Sequence, residues 1–251
     1  HWWEGDKPRA FNKYYKNKKF ALGKTKENDI LSGIRKRLIK AVIKRMMSDR
    51  EIGSLLSGGL DSSLISSLVN KYYAGQRLKT FSIGMPGSID LKYAKEVANF
   101  IGTDHRQIEI SETSFLQAIE TVIYNIESYD TTTVRASVGN YLVSKYIRDN
   151  SDCKVIFNGD GSDEVCGGYI YMKNAPSGSD FQQECERLVS EIHRFDVLRS
   201  DRSISSNGLE ARTPFLDKEF VSYYLSINPE EKTFNKNKRI EKYLLRKAFA
   251  D

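Results

Sequence analysis

Seven consecutive residues, Ser57-Gly58-Gly59-Leu60-Asp61-Ser62-Ser63, combine the types that a phosphate cradle needs. Glycines let a backbone turn sharply and come close to an anion, because no Cβ intervenes. The stretch follows an apolar pair, Leu55-Leu56, and precedes apolar residues at Leu64, Ile65, Leu68, Val69 and Tyr72, the spacing of one buried helix face. Strand, glycine turn and helix start put unpaired helix amides at the turn, with the helix dipole favouring negative charge. Ser57, Ser62 and Ser63 add hydroxyl donors. A Walker A loop would have lysine after its last glycine, whereas here Leu60 and Asp61 follow. A carboxylate in a phosphate cradle repels its ligand unless a cation stands between them, so Asp61 implies magnesium. The plainer reading is a turn in which Asp61 and Ser62 only cap a helix. It leaves the paired glycines after a strand unexplained.

A second stretch, Asn158-Gly159-Asp160-Gly161-Ser162-Asp163-Glu164, packs three acids into five residues directly after the apolar run Cys153–Phe157. Acids in a first helical turn are ordinary, but glycines on both sides of Asp160 point to backbone access for a nucleotide and metal. Thr132-Thr133-Val134-Arg135 joins hydroxyls, helix-start amides and a guanidinium, a set suited to phosphate or carboxylate. In Gly208–Asp217, Pro214 marks a rigid turn, and Glu210 with Arg212 reads equally as a structural pair or as ligand contacts. Lys242, by helical periodicity over 240–249, faces solvent.

The seven-residue loop resembles the pyrophosphate loop of ATP pyrophosphatases, which split ATP between its α and β phosphates. Together with Tyr129–Ser137, Phe157–Glu164 and Gly208–Asp217, it resembles the synthetase domain of glutamine-hydrolysing asparagine synthetases, from about Ile30 to the last residue. The resemblance implies an adenine nucleotide alpha-hydrolase-like fold and a ligase that uses ATP and magnesium. Its substrates would be aspartate and ammonia, joined through β-aspartyl-AMP. It implies that Leu56, Ile83, Gly84, Asn158 and Gly159 hold the adenosine part, with Ser57, Gly58, Gly59, Ser62 and Ser63 at the phosphates. Asp61 and Asp163 would face the metal, and Thr132, Thr133 and Arg135 the substrate. Asp160, Arg135 and Lys242 would be catalytic, with Lys242 stabilising charge on the reacting phosphate. One departure stands out. Relatives carry Ser-Gly-Glu-Gly where this chain has Asn158-Gly159-Asp160-Gly161. The shorter acid places catalytic efficiency in question, since misplacement by about 1 Å can cost on the order of 100-fold in rate. Two rival readings remain: another adenylating enzyme of the same fold, tRNA-modifying or β-lactam-forming, and a nucleotide-binding module without catalysis.

The elements that must position these residues alternate. Strands are expected over 78–83, 105–110 and 153–157, and helices over 30–47, from Asp90 to Ile101, over 114–126 and over 135–147. That alternation argues for an α/β fold with a parallel sheet flanked by helices. Helices over 181–198, 218–225 and 240–249 then make a mainly helical C-terminal part. In such sheets ligands sit beyond the carboxyl ends of the strands, which gathers the loops at 57–63, 83–84 and 158–163.

Composition narrows the class. The chain has 251 residues, 39% of them hydrophobic, enough for one well-buried α/β domain. Mean hydropathy is −0.51, and no apolar run approaches the roughly 20 residues of a membrane helix. Three cysteines without CxxC spacing fit free thiols in a reducing cytoplasm. The three histidines are scattered, without a zinc pattern. Residues 1–50 hold fifteen Lys/Arg against five Asp/Glu, a net of +10 against +6 for the whole chain. Residues 1–27 are expected to be a basic connector from an upstream glutaminase domain of the same polypeptide, and 28–251 the synthetase domain, cut short at its C-terminus. Trp2, Trp3, Tyr14 and Tyr15 among the lysines could contact nucleic acid, but a solvated linker is the expected reading. A homodimer is compatible with the family.

Overall fold

The computed structural model describes residues 3–4, 7–8, 25–74, 77–234 and 239–250. Two short strands, β1 (Trp3–Glu4) and β2 (Lys7–Pro8), pair antiparallel. The rest of the expected connector through residue 24 lies outside the described residues.

Five strands form the main sheet: β3 (Glu51–Leu55), β4 (Lys79–Gly84), β5 (Asp104–Glu109), β6 (Cys153–Phe157) and β7 (Glu210–Arg212). All pairings are parallel, in the order β5-β4-β3-β6-β7. The expected parallel sheet is therefore present, with an edge strand, β7, inside a stretch that read only as a turn. Its residues are too few and too charged to carry a period-2 signal.

The helices are α1 (Glu27–Lys44), α2 (Leu60–Tyr72), α3 (Ile89–Ile101), α4 (Glu112–Gln117), α5 (Ile119–Ile126) and α6 (Thr131–Asn150). There follow α7 (Ser162–Cys166), α8 (Gly178–Glu191), α9 (Asp196–Ser205), α10 (Lys218–Ser226), α11 (Pro229–Lys232) and α12 (Tyr243–Ala248). The helix expected over 114–126 is two helices that break at Ala118, the first capped by Ser111, whose Oγ accepts from the Ser114 amide at 3.1 Å. The helix expected over 181–198 stops at Glu191, and a separate α9 begins at Asp196.

Both sheet faces are covered. On one, Ile34 and Leu38 of α1, Ile65 of α2, Phe220 of α10 and Leu245 of α12 pack against Val155 and Phe157. On the other, Phe81 and Ile156 meet Val143 and Ile147 of α6 and Ile204 of α9. Complete burial of such side chains is worth about 1.5–3 kcal/mol each. The β3–β6 register slips between Glu51 and Ile52, which turns Cys153 to the same face as Ile156.

The basic outer face of α1 is used within the fold. Lys40 Nζ lies 2.8 Å from Glu219, and Lys44 and Arg45 lie 3.2 and 2.8 Å from Asp217. Arg37 stacks over the Tyr223 ring at 3.8 Å. These contacts fasten α1 to α10, and this stretch of positive charge reads as structural.

Candidate active site

Chain order reverses across the sheet between β3 and β6: β4 and β5 extend one way and β7 the other. The loops that leave the carboxyl ends of β3 and β6 therefore lie side by side, the place where parallel sheets bind ligands. Asp61 sits in the first turn of α2 and Asp163 in the first turn of α7. Ser162 Oγ donates to Asp61 Oδ1 at 2.7 Å and ties the two helix starts together.

Lys242 reaches the same point from the far end of the chain. Its Nζ is 2.5 Å from Asp61 Oδ2 and 2.7 Å from Asp163 Oδ1. The expectation of a solvent-facing residue on a helix is corrected here. Lys242 is only 5% exposed, and it precedes α12 in a left-handed conformation, φ 56°. Helical periodicity misplaces a residue that is not in the helix.

Two acids share one lysine, and the electrostatics follow from that count. Burial opposes the charge of Lys242, yet Asp61 and Asp163 outweigh it and hold its pKa above the ordinary lysine value. Asp163 also goes up: desolvation exceeds the pull of Lys242, and Asp61 adds repulsion. Deeper in, burial pushes Asp160 up, against the pull of Ser200 and Arg199. Glu164 is pushed up to about 8 by burial and by Asp196. Tyr169 OH donates to Glu164 Oε1 at 2.5 Å and lies 3.5 Å from Asp196 Oδ2.

Asp61, Asp160, Asp163, Glu164 and Asp196 all line one cavity of about 270 Å³, with Arg199 among them. An apolar cleft of about 120 Å³ adjoins it, sharing Leu55, Ser57 and Asn140 and walled by Leu56, Phe81, Ile83 and Leu91. A polar, charged chamber beside an apolar slot suits a ligand with a flat base at one end and phosphates at the other.

The expected residues divide as follows. Ser57, Gly59, Asp61, Ser62, Asn158, Gly159, Asp160 and Asp163 line the charged cavity, and Leu56 and Ile83 line the cleft. Gly58 adopts φ 82°, where a Cβ would lie 2.6 Å from the Ala94 amide nitrogen, so the turn there requires glycine. Ser63 Oγ is buried with no partner. Gly84 packs under Leu91 rather than lining either space. The Asn158 side chain is engaged in the fold, donating through Nδ2 to Ser200 Oγ at 2.9 Å. Thr132, Thr133 and Arg135 open α6, where Thr133 is buried and Thr132 and Arg135 are exposed. They line neither space, and the Thr133 amide is already taken by Asp130 Oδ2 at 2.8 Å. Glu210 and Arg212 form the structural pair, with Arg212 Nε 2.8 Å from Glu210 Oε1.

Sequence reasoning did not find Asn140, Tyr169, Asp196 or Arg199. An unexpected helix carries Asp196 and Arg199, and only their i, i+3 opposite charges hinted at a pair. That ion pair is present.

The donor set also bears on magnesium. Among the described residues no group of three or more His, Cys, Asp or Glu could hold a metal. Two carboxylates nonetheless converge on one point and keep a net negative charge after Lys242 is counted. Magnesium keeps an octahedral shell filled largely by waters and substrate phosphates, with one or two protein carboxylates. Asp61 and Asp163 fit that pattern as the protein's share of the oxygens.

The sequence profile of the family described as asparagine synthase matches residues 33–182 and 171–251. An asparagine synthetase [glutamine-hydrolyzing] of Cricetulus griseus is 52% identical over 226 residues, covering 88% of this chain and 40% of that protein. The Mus musculus protein of the same name is 53% identical over 215 residues, covering 84% and 38%. The chain thus spans about two fifths of the length of the curated relatives it matches. Among solved structures, a U34-tRNA thiolase from Methanococcus maripaludis aligns at a TM-score of 0.44 and 11% identity, covering 83% of this chain and 67% of that one.

Proposed function

The chain belongs to the asparagine synthase family, and from that premise we propose that it activates the side-chain carboxylate of aspartate with ATP and passes the acyl group to ammonia. A β-carboxylate oxygen attacks the α-phosphorus, and the bond to the bridging oxygen breaks. Pyrophosphate leaves and β-aspartyl-AMP remains. Ammonia then adds to the acyl carbon, AMP departs with the bonding pair, and the added nitrogen loses a proton to give asparagine.

The observation that carries this reading is the convergence of Lys242, Asp61 and Asp163 at the mouth of two strand-following loops. The apolar slot beside them supports binding of an adenine base against Leu56 and Ile83. The backbone and hydroxyls of Ser57–Ser63 would take the phosphates, with Ser63 Oγ, buried and unpartnered, as a spare donor. Lys242 would stabilise negative charge on the reacting phosphate as it develops. Magnesium, held by Asp61 and Asp163, would neutralise charge on the leaving pyrophosphate. Asp160, on the cavity wall, would help to position the reacting groups for formation of the acyl-adenylate. Arg135 and Thr132, exposed at the start of α6 and outside both cavities, would meet a substrate carboxylate or phosphate at the outer edge of the site, and Thr133 would support that helix start from within.

Ammonia would come from glutamine hydrolysed by another part of a longer polypeptide, a reading supported by the glutamine-hydrolysing activity in the relatives' name. The three cysteines are buried and unpaired, which supports a reducing compartment such as the cytoplasm. Pyrophosphate release from MgATP tests the proposal. Release is expected only when aspartate is present, with asparagine formed when ammonium is added and release abolished in Asp61→Ala. Release that ignores aspartate would leave an adenylating enzyme of different substrate.

A further inference from the structure

Gly168 follows the short helix α7 and is buried. Its amide donates to the Asp163 carbonyl at 2.9 Å, so its backbone is fixed against the residue that Lys242 pairs with. A Cβ at this position would lie 2.0 Å from Lys242 Cε, 2.1 Å from Asp163 Oδ1 and 2.9 Å from Lys242 Nζ. All three distances are below what real Cβ atoms show, so lysine and carboxylate occupy the volume a side chain would fill.

The neighbouring glycine provides the contrast. Gly167 has φ 69° and lies under the Phe181 ring, so its backbone and its packing both demand glycine. Gly168 is not among the glycines with positive φ, so it does not share the left-handed backbone that makes Gly167 intolerant of a side chain. The atoms in the way are the far ends of two flexible side chains rather than backbone. An added methyl can be accommodated by moving Lys242 and Asp163 aside, which spares the fold and breaks the bridge.

We propose that Gly168 is a positioning residue: by lacking a side chain, it gives Lys242 the passage through which it bridges Asp61 and Asp163. The inference rests on the proposed function for its effect on rate but not for its effect on geometry, and the test separates the two. In Gly168→Ala, acetylation of Lys242 by acetic anhydride, read by mass spectrometry on the ligand-free protein, rises at least tenfold above wild type. In the same variant kcat for aspartate-dependent pyrophosphate release falls on the order of 100-fold, while KM for ATP moves less than fivefold.

If acetylation and kcat both stay within twofold of wild type, the passage has no positioning role. If wild type releases no pyrophosphate yet acetylation rises in the variant, the proposed function fails and the positioning inference stands. Should Gly168→Ala fail to fold, Gly168→Ala combined with Lys242→Ala removes the principal obstruction and is expected to fold. A double variant that also fails to fold would show that Gly168 serves the backbone, and would overturn the proposal.

Discussion

Lys242 and Lys232 are buried to nearly the same degree, 5% and 3% exposed. Lys242 lies between two carboxylates at the ends of β3 and β6 and is held above the ordinary lysine pKa. Lys232, in the helical layer beyond the sheet, donates to the neutral oxygens of Gln182 Oε1 and the Tyr224 carbonyl. Burial pushes it down to about 8. Desolvation disfavours the charge at both sites, and only the acids at the first reverse the outcome. A buried cation fixed among neutral partners anchors packing. One suspended between two acids that leave charge uncompensated stands beside the charged cavity, where the proposed chemistry is placed. Arg212 is a third case. Nη1 donates to the carbonyls of Arg45 and Met47, the latter at 2.7 Å, and Nε donates to Glu210 at 2.8 Å, so its role is to hold the end of α1 against β7.

The largest contrast lies in rate. Lys242→Ala is expected to lower kcat for pyrophosphate release by about 10²–10³-fold, the cost of losing one preorganised charge donor. Lys232→Met should leave kcat within twofold. Equal losses in the two variants would erase the distinction. Asp160→Glu sharpens the account of the site: if the missing methylene limits catalysis, kcat rises by about tenfold or more. A wild type that binds ATP without turnover, with turnover restored in Asp160→Glu, would favour a nucleotide-binding module that lost catalysis at this residue.

For Arg212→Ala the expected loss is in stability, about 2 kcal/mol in a urea titration, because the carbonyls of Arg45 and Met47 lose a charged donor. Its kcat, measured where the variant is folded, should stay within about threefold of wild type. A far larger drop would place Arg212 in the chemistry. The smallest effect is a pH slope. Folding depresses the Lys232 pKa to about 8 from 10.5, so between those pH values the unfolded chain binds more protons than the folded one and stability rises with pH. Below pH 8 the penalty is present in full. Wild-type Tm minus that of Lys232→Met should therefore climb from pH 8 to 10.5. A flat difference would mean that Lys232 stays charged through that range despite its burial.

Legibility in the sequence followed the distance between residues. The phosphate loop, β6 and the glycine-flanked acids were readable because strand, turn and first helical turn are adjacent, and local types carry the message. The parallel sheet followed from alternation. The helix α9 was not readable, since Asp196 and Arg199 enter the cavity from a segment whose periodic signal merges with that of α8. The pairing of Lys242 with Asp61 spans 181 residues, and periodicity pointed the wrong way because Lys242 sits just before its helix. The passage at Gly168 could not be read at all. It is a statement about empty volume, which no residue type encodes. Arg135 is the opposite instance: its type and motif point to substrate, while its exposed place at the start of α6 leaves it outside both cavities.

The most direct test of the central claim, that the aspartate carboxylate attacks ATP at this site, follows an atom. Aspartate labelled with oxygen-18 in its β-carboxylate would be turned over with MgATP and ammonium, and the AMP analysed by mass spectrometry. Attack of that carboxylate on the α-phosphorus predicts one labelled oxygen in the AMP phosphate. Unlabelled AMP, with asparagine nevertheless formed, would contradict it.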